Sequence, residues 1–145
     1  MKKIMLNEKI EDIRYNNELY ASYFNLENIS DGLQFLTQDD SYIQVGTWKY
    51  EKGKILEAHY HNKFERSSYI TQEVVYVIKG SILCSIFTKN GKFIESKIVN
   101  QNTLIIQYQG VHEYEILENS QIIEIKNGPY FGPEKDRTRV NVKKN

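Results

Sequence analysis

The apolar positions of this chain recur with a period of two over most of its length. Tyr42-Ile43-Gln44-Val45-Gly46-Thr47-Trp48-Lys49-Tyr50 alternates and is rich in β-branched and aromatic residues, which suit the pleated, half-buried surface of a sheet. Comparable runs are Ile55–His61, Glu73–Ile78, Ile82–Thr88, Phe93–Val99, Thr103–Tyr108, His112–Leu117 and Gln121–Lys126, with a shorter one at Leu33–Leu36. Turn residues separate them: Asp39-Asp40-Ser41, Glu51-Lys52-Gly53, Lys79-Gly80, Asn90-Gly91 and Asn100-Gln101-Asn102. Asn90-Gly91 is a hairpin signal, with positive φ expected at both positions. Asn62–Ile70 is polar and reads as a loop. Many short strands with regular turns predict an all-β sandwich or barrel over residues 31–133.

The two ends are less regular. In residues 1–30, Ile10, Ile13 and Arg14, and then Leu19, Tyr20, Tyr23 and Phe24, fit one side of a helix as well as an irregular strand. This N-terminal extension is expected to pack on the barrel or on a second subunit, because its aromatic content argues against disorder. Gly128–Pro133 holds both prolines and ends the sheet. The charged residues 134–145 are expected to form a short exposed C-terminal arm.

A chain of 145 residues suits one domain. Its 19 basic and 19 acidic residues cancel, so no global field draws it to nucleic acid or to an anionic membrane. No apolar run is long enough to span a bilayer. Met1–Lys9 has a basic start and no apolar h-region, so no signal peptide is expected. The lone cysteine, Cys84, excludes an internal disulfide and fits a reducing cytoplasm. Its place in an alternating run predicts a core residue rather than a nucleophile.

The chemistry-bearing residues cluster at strand ends. Only three histidines occur. His59 and His61, two apart, share a face if Ile55–His61 is a strand, and Glu57 joins them while Tyr60 points away. By the same rule Glu73, Val75 and Val77 share a face, as do His112, Tyr114 and Ile116. Three imidazoles and one carboxylate converge only if these strands enclose a common interior, which would be a metal site or an acid/base site. In the metal-free alternative the histidines act as acid/base groups or as hydrogen-bonded interior residues. Tyr114 is the best candidate for a pocket-facing proton donor. Arg66 offers a bidentate fork for a phosphate or carboxylate, or is a solvated partner of Glu65 or Glu73. Trp48 offers a stacking surface for a sugar or base, or is core. Gln72 is a rival ligand to Glu73 but falls on the opposite face.

These residues resemble the motifs of the cupin family. Gly53, five residues, His59-Tyr60-His61, then Glu73, six residues and Gly80 resemble the first motif, with the eleven residues Asn62–Gln72 inserted between histidine and glutamate. Gly110-Val111-His112 resembles the core of the second. The resemblance covers roughly Trp48 to Lys126. It implies a double-stranded β-helix, or jelly-roll barrel, holding a divalent metal such as Zn, Fe, Ni, Cu or Mn on His59, His61, Glu73 and His112. Thr71-Gln72-Glu73-Val74, His61-Asn62 and the stretch from Glu124 to Arg139 also look like small single-domain cupins of surface-polysaccharide biosynthesis. Those are similar in size to sugar-nucleotide ketoisomerases and, more loosely, to deoxysugar epimerases, which use a histidine base and need no metal.

The resemblance therefore implies an isomerase or epimerase acting on a nucleotide-linked keto-sugar. His59 or His61 would abstract a proton, Tyr114 or the other histidine would return it, and Arg66 with Trp48 would bind substrate. The alternatives are a metal-dependent oxygenase and a non-enzymatic sugar- or anion-binding module. A homodimer is expected, because pairing exposed strand edges across a two-fold axis removes them.

Overall fold

The computed structural model describes residues 10–143. Met1–Lys9, with the signal-peptide question and the start of the expected extension, lies outside the described residues, as do Lys144 and Asn145 at the end of the arm. The described chain is all-β. Its strands are β1 (Ile10–Tyr15), β2 (Glu18–Asn25), β3 (Gly32–Phe35), β4 (Gly46–Lys49), β5 (Glu73–Lys79), β6 (Ser81–Phe87), β7 (Phe93–Asn100), β8 (Thr103–Gln107), β9 (Val111–Ile116) and β10 (Gln121–Lys126). A short helix, α1 (Pro133–Asp136), follows.

The strands form antiparallel sheets that do not close into a barrel. One has five strands in the order β1-β2-β8-β5-β10, one has three in the order β7-β6-β9, and β3 pairs with β4 alone. The first two sandwich a core of Ile13, Ala21, Val75, Val77, Ile82, Cys84, Ile86, Val99 and Ile105. Strand alternation explains it: Val75 and Val77 face inward from β5, and Ile82, Cys84 and Ile86 from β6. The outer face of the five-stranded sheet is covered as well. Phe24, Val74, Leu104 and Ile106 there pack against Leu36, Ile43 and Tyr108. With both faces covered, every residue of β8 is buried, and its run Thr103-Leu104-Ile105-Ile106 is apolar or small without interruption. At one margin an ion pair between Lys97 of β7 and Glu11 of β1 bridges the sheets.

Several expectations hold. Gly53, Gly80 and Gly91 all have positive φ at turns. Cys84 is fully buried, and burial pushes its thiol up to about 12, so it stays protonated. Glu73–Ile78, Ile82–Thr88 and the later runs form strands within a residue or so of their expected bounds.

Four expectations are corrected. The helical alternative for residues 10–25 gives way to a hairpin, because β2 pairs with β8 and Ile13 reaches the core; tertiary burial overrides the ambiguous local pattern. Tyr42–Tyr50 is strand only over Gly46–Lys49, since Ile43 turns into the outer cluster and Gln72 Oε1 accepts from its N–H at 3.1 Å. At Asn90-Gly91 only Gly91 has positive φ. The Gly91 N–H donates to Thr88 O at 2.8 Å, a turn completed by one left-handed residue rather than two. Finally, Ile55–His61 is not a strand. Among the described residues no backbone hydrogen bond involves Ile55–Tyr69, so its alternation has no neighbouring strand to act on.

Candidate functional site

The two sheets end on one side at β9 and β10, each paired on a single edge and joined by the short connection 117–120. Antiparallel register places Tyr114 opposite Cys84 and His112 opposite Ile86, so His112 and Tyr114 face the sandwich interior. On the facing sheet Glu73 lies opposite Gln107 of β8 and Lys126 of β10. Alternation puts Glu73 on the same inward side as Val75 and Val77. The backbone before His112 is constrained. Gly110 has φ +84, and a Cβ there would lie 2.6 Å from both Phe87 O and the Tyr20 ring, so the tight approach favours glycine.

Glu73 is the hub. His112 Nε2 lies 3.2 Å from Glu73 Oε1, and the Tyr114 hydroxyl donates to the same oxygen at 3.2 Å. Gln107 Nε2 donates to the Tyr114 oxygen at 2.7 Å and approaches Cys84 Sγ at 3.4 Å. Glu73 is 8% exposed, while the His112 side chain is 37% exposed. The carboxylate is thus a buried acceptor beneath an imidazole that reaches solvent. Burial pushes the Tyr114 hydroxyl well up, and the nearby Cys84 and Glu73 add to this, so it remains a neutral donor. At the rim, Glu124 holds Lys126 at 2.8 Å. That hydrogen bond raises the ammonium's pKa, and Glu73 contributes in the same direction.

At 3.2 Å, His112 Nε2 and the Glu73 carboxylate are within reach of each other, and the contact is an ion pair when the imidazole carries a proton. Gln107 Oε1 is buried without a hydrogen-bond partner. Gln107 and Lys126 went unmarked in the sequence. The one signal for Gln107 was a long polar side chain at the end of an apolar strand.

The remaining expected site residues lie elsewhere. His59 and His61 sit in the exposed segment, their ring centroids 5.2 Å apart, with His59 Nδ1 2.9 Å from Glu57 O. Arg66 stacks over the Phe64 ring at 3.7 Å and makes no ion pair with Glu65 or Glu73. Trp48 is 62% exposed, in edge contact with Tyr50. Gln72 is structural: besides Ile43 it bonds Tyr108 O at 3.4 Å. Of the four expected metal ligands, one chain brings together Glu73 and His112. Among the described residues no three His, Cys, Asp or Glu side chains gather as a metal would need.

A depression of about 210 Å³ lies on the opposite face of the three-stranded sheet, lined by Leu83, Ser85, Phe93 and Glu113 among others. It contains no histidine and lies across the sheet from the Glu73 hub. No protein-family model, curated protein or solved structure matches the chain.

Proposed function

We propose that the protein is a cupin-type isomerase or epimerase that moves a proton beside the carbonyl of a nucleotide-linked keto-sugar. The observation that carries this reading is the convergence of His112 and Tyr114 on one buried oxygen, Glu73 Oε1. A base and a neutral acid, two residues apart on one strand, are the minimum equipment for such a transfer. His112 Nδ1 takes the proton from the carbon next to the carbonyl, giving an enediolate and an imidazolium. Glu73 stabilises the imidazolium from the other side. Tyr114 supplies a hydrogen bond to the developing oxyanion when substrate replaces Glu73 as its acceptor. Return of the proton to the former carbonyl carbon, as the neighbouring hydroxyl passes its proton to the former carbonyl oxygen, moves the carbonyl by one position; delivery of a solvent proton to the other face of the original carbon, with His112 giving its own proton up to solvent, inverts it.

The jelly-roll assignment draws support from the strand succession. From β5 to β10 the chain visits the five-stranded sheet, the three-stranded sheet twice, then each sheet in turn, as two interleaved Greek keys do. The substrate class rests on the resemblance of the Glu124–Arg139 stretch and the motif residues to polysaccharide-biosynthesis cupins. A cytoplasmic location accords with that role.

The test is deuterium uptake from D₂O into a panel of nucleotide-linked keto-sugars, followed by mass spectrometry. Wild type should incorporate one deuterium per turnover. His112→Ala should slow incorporation by about 10²–10⁴-fold, the usual worth of a positioned base. Binding by calorimetry without incorporation would leave a sugar-binding module instead. No binding by any member of the panel would reject the substrate class.

A further inference from the structure

At one end of the sandwich an open basin of about 470 Å³ lies between the β1–β2 turn and the β6–β7 turn. None of Glu73, Gln107, His112 or Tyr114 lines it. Both turns are fixed by their own backbone. Asn16 and Asn17 have φ 50 and 64, the two left-handed residues of a tight hairpin turn. In the other turn Thr88 N donates to Lys92 O at 2.8 Å, and Lys92 N donates to Thr88 Oγ1 at 3.1 Å. The floor is aromatic. Ile13 pairs with Ala21 and Arg14 with Leu19, so Tyr20 is an extra residue in β2. Such a bulge re-aims a side chain. The Tyr20 ring lines the basin and meets Tyr15 edge-on, with centroids 6.4 Å apart.

Two cations stand over that floor. Lys92 reaches across from the facing sheet, its Nζ 2.9 Å from the Tyr15 hydroxyl and 5.1 Å from the ring centroid. The hydroxyl oxygen accepts that bond, which leaves its proton free to donate. Lys89 lines the same basin. Among the described residues neither lysine has a carboxylate within ion-pair distance, although Glu18 lies on the same rim. Two ammonium groups left unneutralised over one cleft raise its positive potential and favour an anion there.

We propose that this basin binds a phosphorylated monosaccharide, at a site separate from the Glu73 hub. The phosphoryl group lies between the Lys89 and Lys92 ammonium groups and accepts from the Tyr15 hydroxyl. Lysine holds phosphate as a point charge, and two of them match its double negative charge. The sugar hydroxyls donate to the Glu18 carboxylate and meet the Asn16 and Asn90 amides, which both donate and accept. Glu18 is what separates this ligand from a bare oxyanion, since a carboxylate repels an anion and suits a ligand that also carries donors. A nucleobase is the poorer occupant. Lys92 already covers a face of Tyr15 and Tyr20 is 8% exposed, so neither ring offers an open face for stacking. The site stands independently of the proton-transfer reading.

The experiment titrates the full chain with glucose 6-phosphate, mannose 1-phosphate, N-acetylglucosamine 1-phosphate, inorganic phosphate and glucose. Calorimetry gives the affinity, and amide shifts in ¹H–¹⁵N spectra give the place. At least one sugar phosphate should bind more tightly than both inorganic phosphate and glucose, with the largest shifts at Asn16, Asn17, Lys89 and Asn90. Lys89→Ala should weaken that binding about ten- to hundredfold, the worth of one charge-assisted contact. Lys89 is an exposed turn residue, so the variant should keep the wild-type melting temperature. Lys89→Arg keeps the charge and should restore most of the affinity. His112→Ala should leave it unchanged. Equal affinity for inorganic phosphate and every sugar phosphate would overturn the sugar assignment. Binding lost in His112→Ala and kept in Lys89→Ala would move the ligand to the Glu73 hub and overturn the basin as its site. No binding by any phosphate compound would overturn the proposal outright.

Discussion

β6 and the exposed arm Trp48–Thr71 began with the same kind of sequence and ended in opposite states. Ile82–Phe87 and Ile55–His61 are both short apolar-rich runs that follow a glycine turn. β6 has a partner on each side, β7 and β9, and buries Ile82, Cys84, Ile86 and Phe87. Over Ile55–His61 the arm has no strand partner and buries nothing. Alternation therefore marks the capacity to be a strand; hydrogen-bonding neighbours decide whether the capacity is used.

The contrast breaks most sharply on the body side. Phe87→Ala removes a fully buried ring packed edge-on against Phe93 at 5.8 Å. It should cost about 3–5 kcal/mol in urea unfolding. A loss below about 1 kcal/mol would mean that the Phe87–Phe93 packing is looser than its burial indicates.

Alkali probes the same core through charge. The Cys84 thiol is held from 9.0 up to about 12 in the folded chain. The unfolded chain therefore releases this proton at lower pH than the folded one. Stability is intact below pH 9 and falls as pH rises from there toward 12, by about 1.4 kcal/mol per pH unit from this group alone. Tyr114 acts in the same direction from about pH 10, where an unfolded tyrosine releases its proton. Cys84→Ala should remove the onset between pH 9 and 10 and leave the later decline, as followed by thermal melts across that range. An unchanged onset would assign the early loss to another group.

The smallest effect is expected on the arm. Tyr60→Ala, in the exposed segment Trp48–Thr71, should change unfolding free energy by no more than about 0.5 kcal/mol, as for other exposed substitutions. A larger loss would show that the arm packs on its own sandwich, and the contrast between the two runs would disappear.

The sandwich was legible in the sequence because its strands carry their turns with them. Lys79-Gly80 and Asn100-Gln101-Asn102 sit where the chain reverses, and Gly80 and Asn102 have positive φ. The inward faces of β5 and β9, hence the nearness of Glu73, His112 and Tyr114, followed from alternation once the strands were placed. The β1–β2 hairpin was not legible, because Leu19, Tyr20, Tyr23 and Phe24 are spaced for either structure and only pairing with β8 chooses between them. Nor was the role of Gln107, whose value lies in a bond to Tyr114 from a different strand. For His59 and His61 the expectation failed because it needed Ile55–His61 to be a strand, and alternation alone does not supply the neighbouring strand that would make it one.

The β6–β7 turn has a consequence for how substitutions at distant positions depend on one another. The carbonyl of Asn141 would lie 2.8 Å from a Cβ at Gly91, and Lys143 N donates to Gly91 O at 3.4 Å. A surface turn with one left-handed residue ordinarily accepts asparagine in glycine's place. Here the C-terminal segment lies across the turn and withdraws that option. The freedom of position 91 is thus set some fifty residues downstream, and chains in which the tail takes another course are the ones in which that glycine becomes replaceable.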